Sequence, residues 1–281
     1  MASRSGARSD AQAVIDRFVA ACRADDRVLA AFLSGSRVTG TADAHSDFDF
    51  GLITTDRACE DFLAHCAAFV GQLGETLFVE DFGLAETVFF VLSDGTEAEL
   101  RVGRETAFTQ IARGPHRVLL DKTGVLSGVD FVGHAADYAE QREELRRTIM
   151  WFWHDVSHFI AAMSRGKLWW AYGQLEILRR ACVNLLRLEH DFADPDVGMD
   201  CYFKVEDQVP SERLATLRET VCLMQPQAML RAAHALVGVY KAVASPLAAA
   251  HGLSYPNALE RTVLDRLDSS FSDSGAAQSG A

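Results

Sequence analysis

The hydrophobic pattern of the chain changes once, near residue 133. Before that point, helical spacing of apolar residues over roughly 11–24 and 57–73 alternates with short strand-like runs. The predicted strands are 28–33, a strand that begins near Phe48, 76–81, 86–92 and 97–102. Beyond the change the spacing is almost wholly helical, in pieces near 135–163, 167–190, 211–224 and 226–250, with irregular segments at 191–210 and 251–257.

This change predicts an α+β protein with two domains. We expect a domain with a mixed sheet and helices at 1–133, then an all-α domain at 134–268. Gly124, Gly128 and Gly133 lie around the proposed boundary. The small, polar residues 269–281 predict a flexible tail, and residues 1–9 have the same character.

The net charge of the chain indicates which class of molecule it binds. The 27 basic and 39 acidic side chains give a net charge of −12, whereas proteins that bind nucleic acid usually carry a basic surplus. A small cationic molecule suits this field better. Residues 1–133 carry 20 of the acidic groups and 12 of the basic ones, so a cation is best sought in the first domain.

Cysteine usage and hydropathy bear on location. The six cysteines are scattered and include no CxxC pair, and the N-terminus lacks the apolar stretch of a signal peptide. No apolar run approaches the roughly 18 residues of a membrane span. We therefore expect a cytoplasmic protein with reduced thiols and no membrane partner.

The most informative stretch is a Gly-Ser turn followed by two aspartates. Gly35-Ser36 ends the first predicted strand, where glycine allows a ligand to approach the backbone and the N–H groups of the next helix can bind an anion. Asp47 and Asp49 lie two residues apart at the start of the next strand, so both carboxylates leave the same face. Such oxygen ligands favour Mg²⁺, and an anion site beside Mg²⁺ is typical of nucleoside-triphosphate binding.

These motifs resemble the nucleotidyltransferase superfamily, whose fold is that of the DNA polymerase β catalytic domain. Its signature is a Gly-Ser turn, an Asp-x-Asp strand and a third carboxylate on a later strand. Glu99 is the better candidate for that carboxylate, because Glu99-Leu100-Arg101-Val102 matches the acid-Leu-x-Val of the superfamily, and Glu97 is the alternative. Within the superfamily the chain most resembles antibiotic adenylyltransferases of the aminoglycoside and lincosamide type, in which a helical domain follows the catalytic one. Residues 151–153 and 164–176 resemble the start of that helical domain.

The resemblance implies a role for each motif residue. Asp47 and Asp49 would hold two Mg²⁺ ions, and Glu99 would complete the second metal site or take the proton of the acceptor hydroxyl. Gly35 and Ser36 would bind the β- and γ-phosphates of ATP, with Arg37 and Ser46 as further nucleotide contacts. Several relatives place a lysine where Tyr172 stands here, so Lys167 or Arg165 would replace it against the phosphates.

The implied reaction is the transfer of AMP from ATP to a hydroxyl of a small, cationic molecule such as an aminoglycoside, which would confer antibiotic resistance. One alternative is a nucleotide-binding, antitoxin-like module on the same fold that has lost transfer. The intact Asp-x-Asp pair argues against that alternative.

A second alternative is a zinc hydrolase. His154 and His158 are four residues apart on a predicted helix and resemble the H-E-x-x-H pattern, although Asp155 replaces glutamate and no third ligand is evident. We expect these histidines to pack against Trp151 and Trp153 rather than to hold zinc. The remaining candidates are Glu176, expected to be a surface or ion-paired acid, and Trp169-Trp170, expected to lie half in the core and half at a ligand site.

Overall fold

A computed structural model describes residues 11–132, 137–193 and 201–272. The chain divides into two compact units, residues 1–134 and 135–281. The first has a mixed sheet with helices, and all regular secondary structure in the described residues of the second is helical, so the α+β class is confirmed.

The first unit is built on a six-stranded sheet among its described residues. Its strands are β1 (Val28–Ser34), β2 (Phe48–Thr54), β3 (Thr76–Glu80), β4 (Thr87–Leu92), β5 (Glu97–Arg104) and β7 (Arg117–Asp121), in the order β3-β4-β5-β2-β1-β7. A separate pair joins β6 (Arg113–Gly114) to β8 (Phe131–Val132). β2 and β5 run parallel, whereas the other pairs of the main sheet are antiparallel.

Both faces of this sheet are covered over part of their area. The helices of the unit are α1 (Ala11–Ala24), α2 (Ser36–Thr39), α3 (Cys59–Ala64) and α4 (Cys66–Val70). α1 and α4 pack on one face, where Phe18 stacks on Phe50 with ring centroids 4.0 Å apart. On the other face a smaller core around Phe32 and Phe131 covers one end of β1 and β2. At the other end of that face the side chains are polar and less buried: Asp49 is the one residue of β2 that is not fully buried, and Glu97 and Glu99 alternate with buried residues along β5.

The single helix predicted over 57–73 is wrong, because the chain forms α3 and α4 with a break at His65. The His65 ring Nδ1 lies 2.8 Å from the carbonyl oxygen of Asp61, and its backbone has φ −113° and ψ 15°, outside the helical region. The Asp61 carbonyl oxygen also accepts the His65 backbone N–H at 3.2 Å, so the break lies in the backbone conformation of His65.

The second unit is a bundle of helices. They are α5 (Tyr138–Ser164), α6 (Leu168–His190), α7 (Val205–Gln208), α8 (Ser211–Arg218), α9 (Pro226–Ala250) and α10 (Asn257–Ser272). α5, α6 and α9 supply most of the core, in which Phe152 stacks on Tyr240 at 3.7 Å between ring centroids. By length and composition α9 could cross a membrane, but 56% of its most apolar window is buried inside the unit, as in a core helix.

Three boundaries in this unit differ from expectation. The helix predicted over 211–224 ends at Arg218, because Thr220 bonds instead to Leu217 and to Arg179. The segment expected to be irregular over 191–210 contains α7. The flexible tail expected from residue 269 is wrong for 269–272, which continue α10 beyond the buried Leu267; residues 273–281 and 1–9 lie outside the described residues.

All six cysteines lie in the described residues and are free thiols. Five are buried, and burial raises the pKa of Cys66 to about 12, so this thiol stays protonated and unreactive.

Candidate active site

The Gly-Ser turn follows directly from the end of β1. Gly35 has φ 69° and ψ −155°, a backbone conformation that is essentially restricted to glycine. The single-turn helix α2 runs from Ser36 to Thr39 and is followed by Gly40, whose φ of 79° is left-handed. A Cβ atom at position 35 would lie 1.8 Å from Oδ2 of Asp49, so the turn can approach this carboxylate only because residue 35 has no side chain.

The antiparallel pairing of β1 with β2 brings the turn to the aspartates. Ser34 lies opposite Asp49, and its hydroxyl donates a hydrogen bond to the Asp49 carbonyl oxygen at 3.3 Å. Asp49 is half-buried within β2, whereas Asp47 is exposed just before the strand. Alternation along an extended chain predicts that both side chains leave the same face.

Arg37 holds the segment that leads into β2. Its Nε donates to the carbonyl oxygen of Asp47 at 2.7 Å and its Nη2 donates to that of Ser46, while the guanidinium lies 3.8 Å from the ring centroid of Phe48. These contacts fix the backbone at Asp47. The nucleotide contact expected of Arg37 stays a prediction.

Ser46 closes the preceding loop through Asp43. Its hydroxyl donates to Asp43 Oδ1 at 3.1 Å and accepts from the Asp43 backbone N–H at 2.9 Å. Hydrogen bonds from the His45 backbone N–H and from the Ser46 hydroxyl lower the pKa of the exposed Asp43 carboxyl. The Ser46 side chain thus orders the loop, and its nucleotide contact stays a prediction.

The third carboxylate comes from β5. In the parallel pairing of β2 with β5, Asp49 lies beside Glu99, and residues in register on neighbouring strands point to the same face. Glu99 is half-buried, whereas Glu97 is exposed at the start of the strand. Asp47, Asp49, Glu97 and Glu99 therefore form two acidic rows at one end of the sheet, and we call these four residues the acidic face.

Arg101 is a residue of this site that sequence reasoning missed. Its Nε lies 2.5 Å from Glu99 Oε1, and its Nη1 donates to the Ile111 carbonyl oxygen at 3.3 Å. The ion pair orients the Glu99 carboxylate. The period-two spacing of Glu99 and Arg101 on a strand was the available signal, because it places both side chains on one face.

Aromatic side chains border the acidic face. A cavity of about 120 Å³ is lined by Asp47 and Glu97 together with Phe78 and Phe89, among others. Phe82 lies 5.8 Å from Phe78 and 5.7 Å from Phe89 between ring centroids, and is 65% exposed. Its φ of 51° is unusual for an aromatic residue, which marks this loop as conformationally constrained.

The model of the streptomycin adenylyltransferase family matches residues 8–269. The chain belongs to the streptomycin adenylyltransferase family. Membership confirms the resemblance to antibiotic adenylyltransferases and places the chain in a family of nucleotidyltransferases.

The matches to individual proteins are weaker than the match to the family. No curated protein matches the chain significantly. Among solved structures, an aminoglycoside 6-adenyltransferase from Bacillus subtilis aligns over 95% of this chain and 99% of its own at 13% identity, with a TM-score of 0.43. A nucleotidyltransferase-like protein from Exiguobacterium sibiricum 255-15 aligns over 82% of this chain and 74% of its own at 11% identity, with a TM-score of 0.37.

The remaining candidates of this adenylyltransferase family member lie in the helical unit. Lys167 is exposed directly before α6, and its contact with phosphate stays a prediction. Glu176 pairs with Arg179 and accepts a hydrogen bond from the Tyr202 hydroxyl at 2.8 Å, as expected of an ion-paired acid. Trp169 is 81% exposed in the first turn of α6, whereas Trp170 is 39% exposed. The half-core position expected of the pair is therefore wrong for Trp169, and their position at a ligand site stays a prediction.

The two histidines on α5 are arranged differently from the expected packing. Trp153 is fully buried in the core, and only Trp151 lies against His154, with ring centroids 4.6 Å apart. His154 and His158 lie beside each other and beside Asp155.

Proposed function

We propose that this protein transfers AMP from ATP to a hydroxyl group of a small cationic acceptor, most closely an aminoglycoside. The observation that carries the proposal is the acidic face: Asp49 and Glu99 in register on parallel strands, with Gly35 against Asp49, in a member of the streptomycin adenylyltransferase family. Such a modification of an aminoglycoside would make the protein an antibiotic-resistance enzyme.

The donor set fits magnesium. All four side chains of the acidic face offer carboxylate oxygens, the ligand type that Mg²⁺ prefers, and one of them, Asp49, lies against Gly35 of the turn. Asp47 and Asp49 would hold two Mg²⁺ ions, and Glu99 would complete the site of the second ion. When bound, Mg²⁺ neutralises charge on the triphosphate and on the pyrophosphate that leaves.

The transfer is a single substitution at the α-phosphorus of ATP. A bond forms between the acceptor oxygen and this phosphorus, the bond from the phosphorus to the oxygen bridging the α- and β-phosphates breaks, and pyrophosphate departs with that electron pair. Glu99 takes the proton of the acceptor hydroxyl, for which its carboxylate must be ionised and correctly oriented. Arg101 provides this orientation through the ion pair.

The residues around the turn would hold the nucleotide. The backbone at Gly35 and Ser36 permits close approach of the β- and γ-phosphates, with the Ser36 hydroxyl as a further donor. Arg37 keeps Asp47 in place through the two carbonyl oxygens that it binds.

The acceptor class follows from charge and from the aromatic border. Cationic amino groups are attracted to carboxylates, and the apolar faces of sugar rings pack on exposed aromatic rings such as those of Phe78 and Phe82. The chain's net charge of −12 adds a favourable long-range field for a polyamine substrate.

The test is a product analysis. Purified protein is incubated with ATP, Mg²⁺ and, separately, streptomycin, other aminoglycosides and a lincosamide; product masses are then measured by mass spectrometry, with GTP as a parallel nucleotide. The proposal requires one acceptor to gain the mass of one AMP group. ATP binding without transfer to any acceptor would instead support the silent, antitoxin-like module.

A further inference from the structure

The first helix of the second unit carries a cluster of metal-ligating side chains outside the acidic face. His154, Asp155 and His158 each offer a ligand atom, and these atoms all lie within 4.8 Å of one another. The two imidazole centroids are 4.1 Å apart, and His154 Nδ1 lies 3.3 Å from Asp155 Oδ1. His154 is exposed and the other two residues are partly exposed, so an ion in solution can reach them.

The distances suit a tetrahedral ion. Two donors that each lie about 2.0–2.1 Å from a tetrahedral zinc ion are about 3.4 Å apart. The His154–Asp155 pair already has this separation. The wider separations within the cluster shorten by side-chain rotation, for which the exposure of His154 leaves room.

The donor types decide which metal is favoured. Two imidazoles with one carboxylate suit Zn²⁺ and its neighbours Ni²⁺ and Cu²⁺, whereas Mg²⁺ prefers oxygen donors alone. We infer that His154, Asp155 and His158 bind one transition-metal ion of the Zn²⁺ class on α5, with the remaining coordination position open to water or another ligand. Asp155 is the third ligand that the sequence did not make evident.

Tryptophan neighbours make this site observable. The Trp151 ring lies 4.6 Å from the His154 ring, and that of Trp170 lies 5.9 Å from His158, between centroids. Paramagnetic Ni²⁺ or Cu²⁺ at this position would therefore quench tryptophan fluorescence.

The experiment titrates metal into untagged, chelator-treated full-length protein in the presence of excess Mg²⁺. Calorimetry with Zn²⁺ should give one site per chain, and Ni²⁺ should quench tryptophan fluorescence with the same stoichiometry. His154→Ala and His158→Ala should each weaken both signals at least tenfold, and Asp155→Asn should weaken them less. His190→Ala, which removes an exposed helical histidine outside the cluster, is the matched control and should leave both signals unchanged.

The control Asp49→Asn separates this inference from the proposed function. It should retain the Zn²⁺ site, since the acidic face does not supply its ligands. Absence of a stoichiometric Zn²⁺ site in the wild type would overturn the inference. So would a site that persists in both histidine variants or that disappears in Asp49→Asn, and circular dichroism of each variant shows that the comparison is between folded proteins.

Discussion

Gly35 and Asp49 pack so closely that position 35 has no room for a side chain. A Cβ atom there would lie 1.8 Å from Asp49 Oδ2, and the Gly35 backbone has φ 69°. The glycine of the turn and the second aspartate of the Asp-x-Asp strand are therefore two parts of one structural unit, joined through the antiparallel pairing of β1 with β2.

Gly35→Ala should abolish transfer and destabilise the first unit. The substitution forces Asp49 to move and places alanine in a backbone region that costs about 1–3 kcal/mol for residues with a side chain. The transfer rate and the thermal unfolding midpoint measure the two effects. We expect a loss of more than tenfold in rate.

Gly40→Ala is the control at the other end of α2. Gly40 also has a positive φ, of 79°, but no atom lies within 4 Å of the position its Cβ would take. This variant should lose about 1–2 kcal/mol of stability, because a residue with a Cβ atom disfavours left-handed backbone, and it should retain most of its activity. Equal activity in the two variants would show that contact with Asp49 is unimportant.

Glu99→Gln should separate binding from chemistry. Glutamine keeps the size of the side chain but cannot accept the proton, so turnover should fall by about 10²–10⁴-fold. If Glu99 acts mainly as a base, the affinity for ATP–Mg²⁺ should stay within a few-fold of the wild type. If it acts mainly as a metal ligand, the Mg²⁺ dependence should change together with turnover.

Glu97→Gln is the matched variant, one pleat away on the same face of β5 and more exposed. It should have the smaller effect on turnover. An unchanged rate in Glu99→Gln beside an inactive Glu97→Gln would reverse the assignment of the third carboxylate.

Arg101→Met should lower turnover by about tenfold with little change in stability. The variant leaves Glu99 without the ion pair that orients it, whereas a partly exposed pair stabilises a fold by only about 0–1 kcal/mol. Arg101→Lys should recover part of the rate. Full activity of Arg101→Met would mean that Glu99 is oriented without it, so turnover and the unfolding midpoint should be measured for both variants.

Phe82→Ala should raise the KM for the acceptor several-fold and leave the KM for ATP unchanged. The ring is exposed beside Phe78 and Phe89, so its removal takes away a packing surface for a sugar ring without opening the core. Leu77→Ala is the control, because Leu77 is an apolar residue of β3 whose side chain is as exposed as that of Phe82. The interpretation fails if both variants, or neither, affect the acceptor KM.

The sequence predicted the sheet strands that carry the motifs because their signals are local. β1, β2 and β5 show apolar runs or strict alternation, and the Gly-Ser turn follows β1 directly. β7 was not predicted: its five residues follow a Gly-Pro pair, and the strand exists through pairing with β1, a contact between residues far apart in the chain. The break at His65 lies in the backbone conformation of that one residue, which periodicity does not reveal.

The candidate site shows the same difference between features set by local sequence and features set by contacts between distant residues. The period-two pattern placed Asp47 with Asp49 and Glu97 with Glu99, but only the parallel register of β2 with β5 brings Asp49 beside Glu99. The hydrogen bond from Arg37 to Asp47 also depends on the fold, because the two residues are ten positions apart and no helix or strand period relates them.

The rate of AMP transfer by Asp49→Asn, measured with Mg²⁺ and the best acceptor of the product analysis, tests the central claim most directly. Asparagine keeps the shape of the side chain but removes the charge needed for metal binding, which should lower the rate by at least 10²-fold, or about 2.7 kcal/mol. Circular dichroism and the unfolding midpoint should show an intact fold. A folded Asp49→Asn that retains more than about a tenth of the wild-type rate, a change of only about 1.4 kcal/mol, would contradict catalysis at the acidic face.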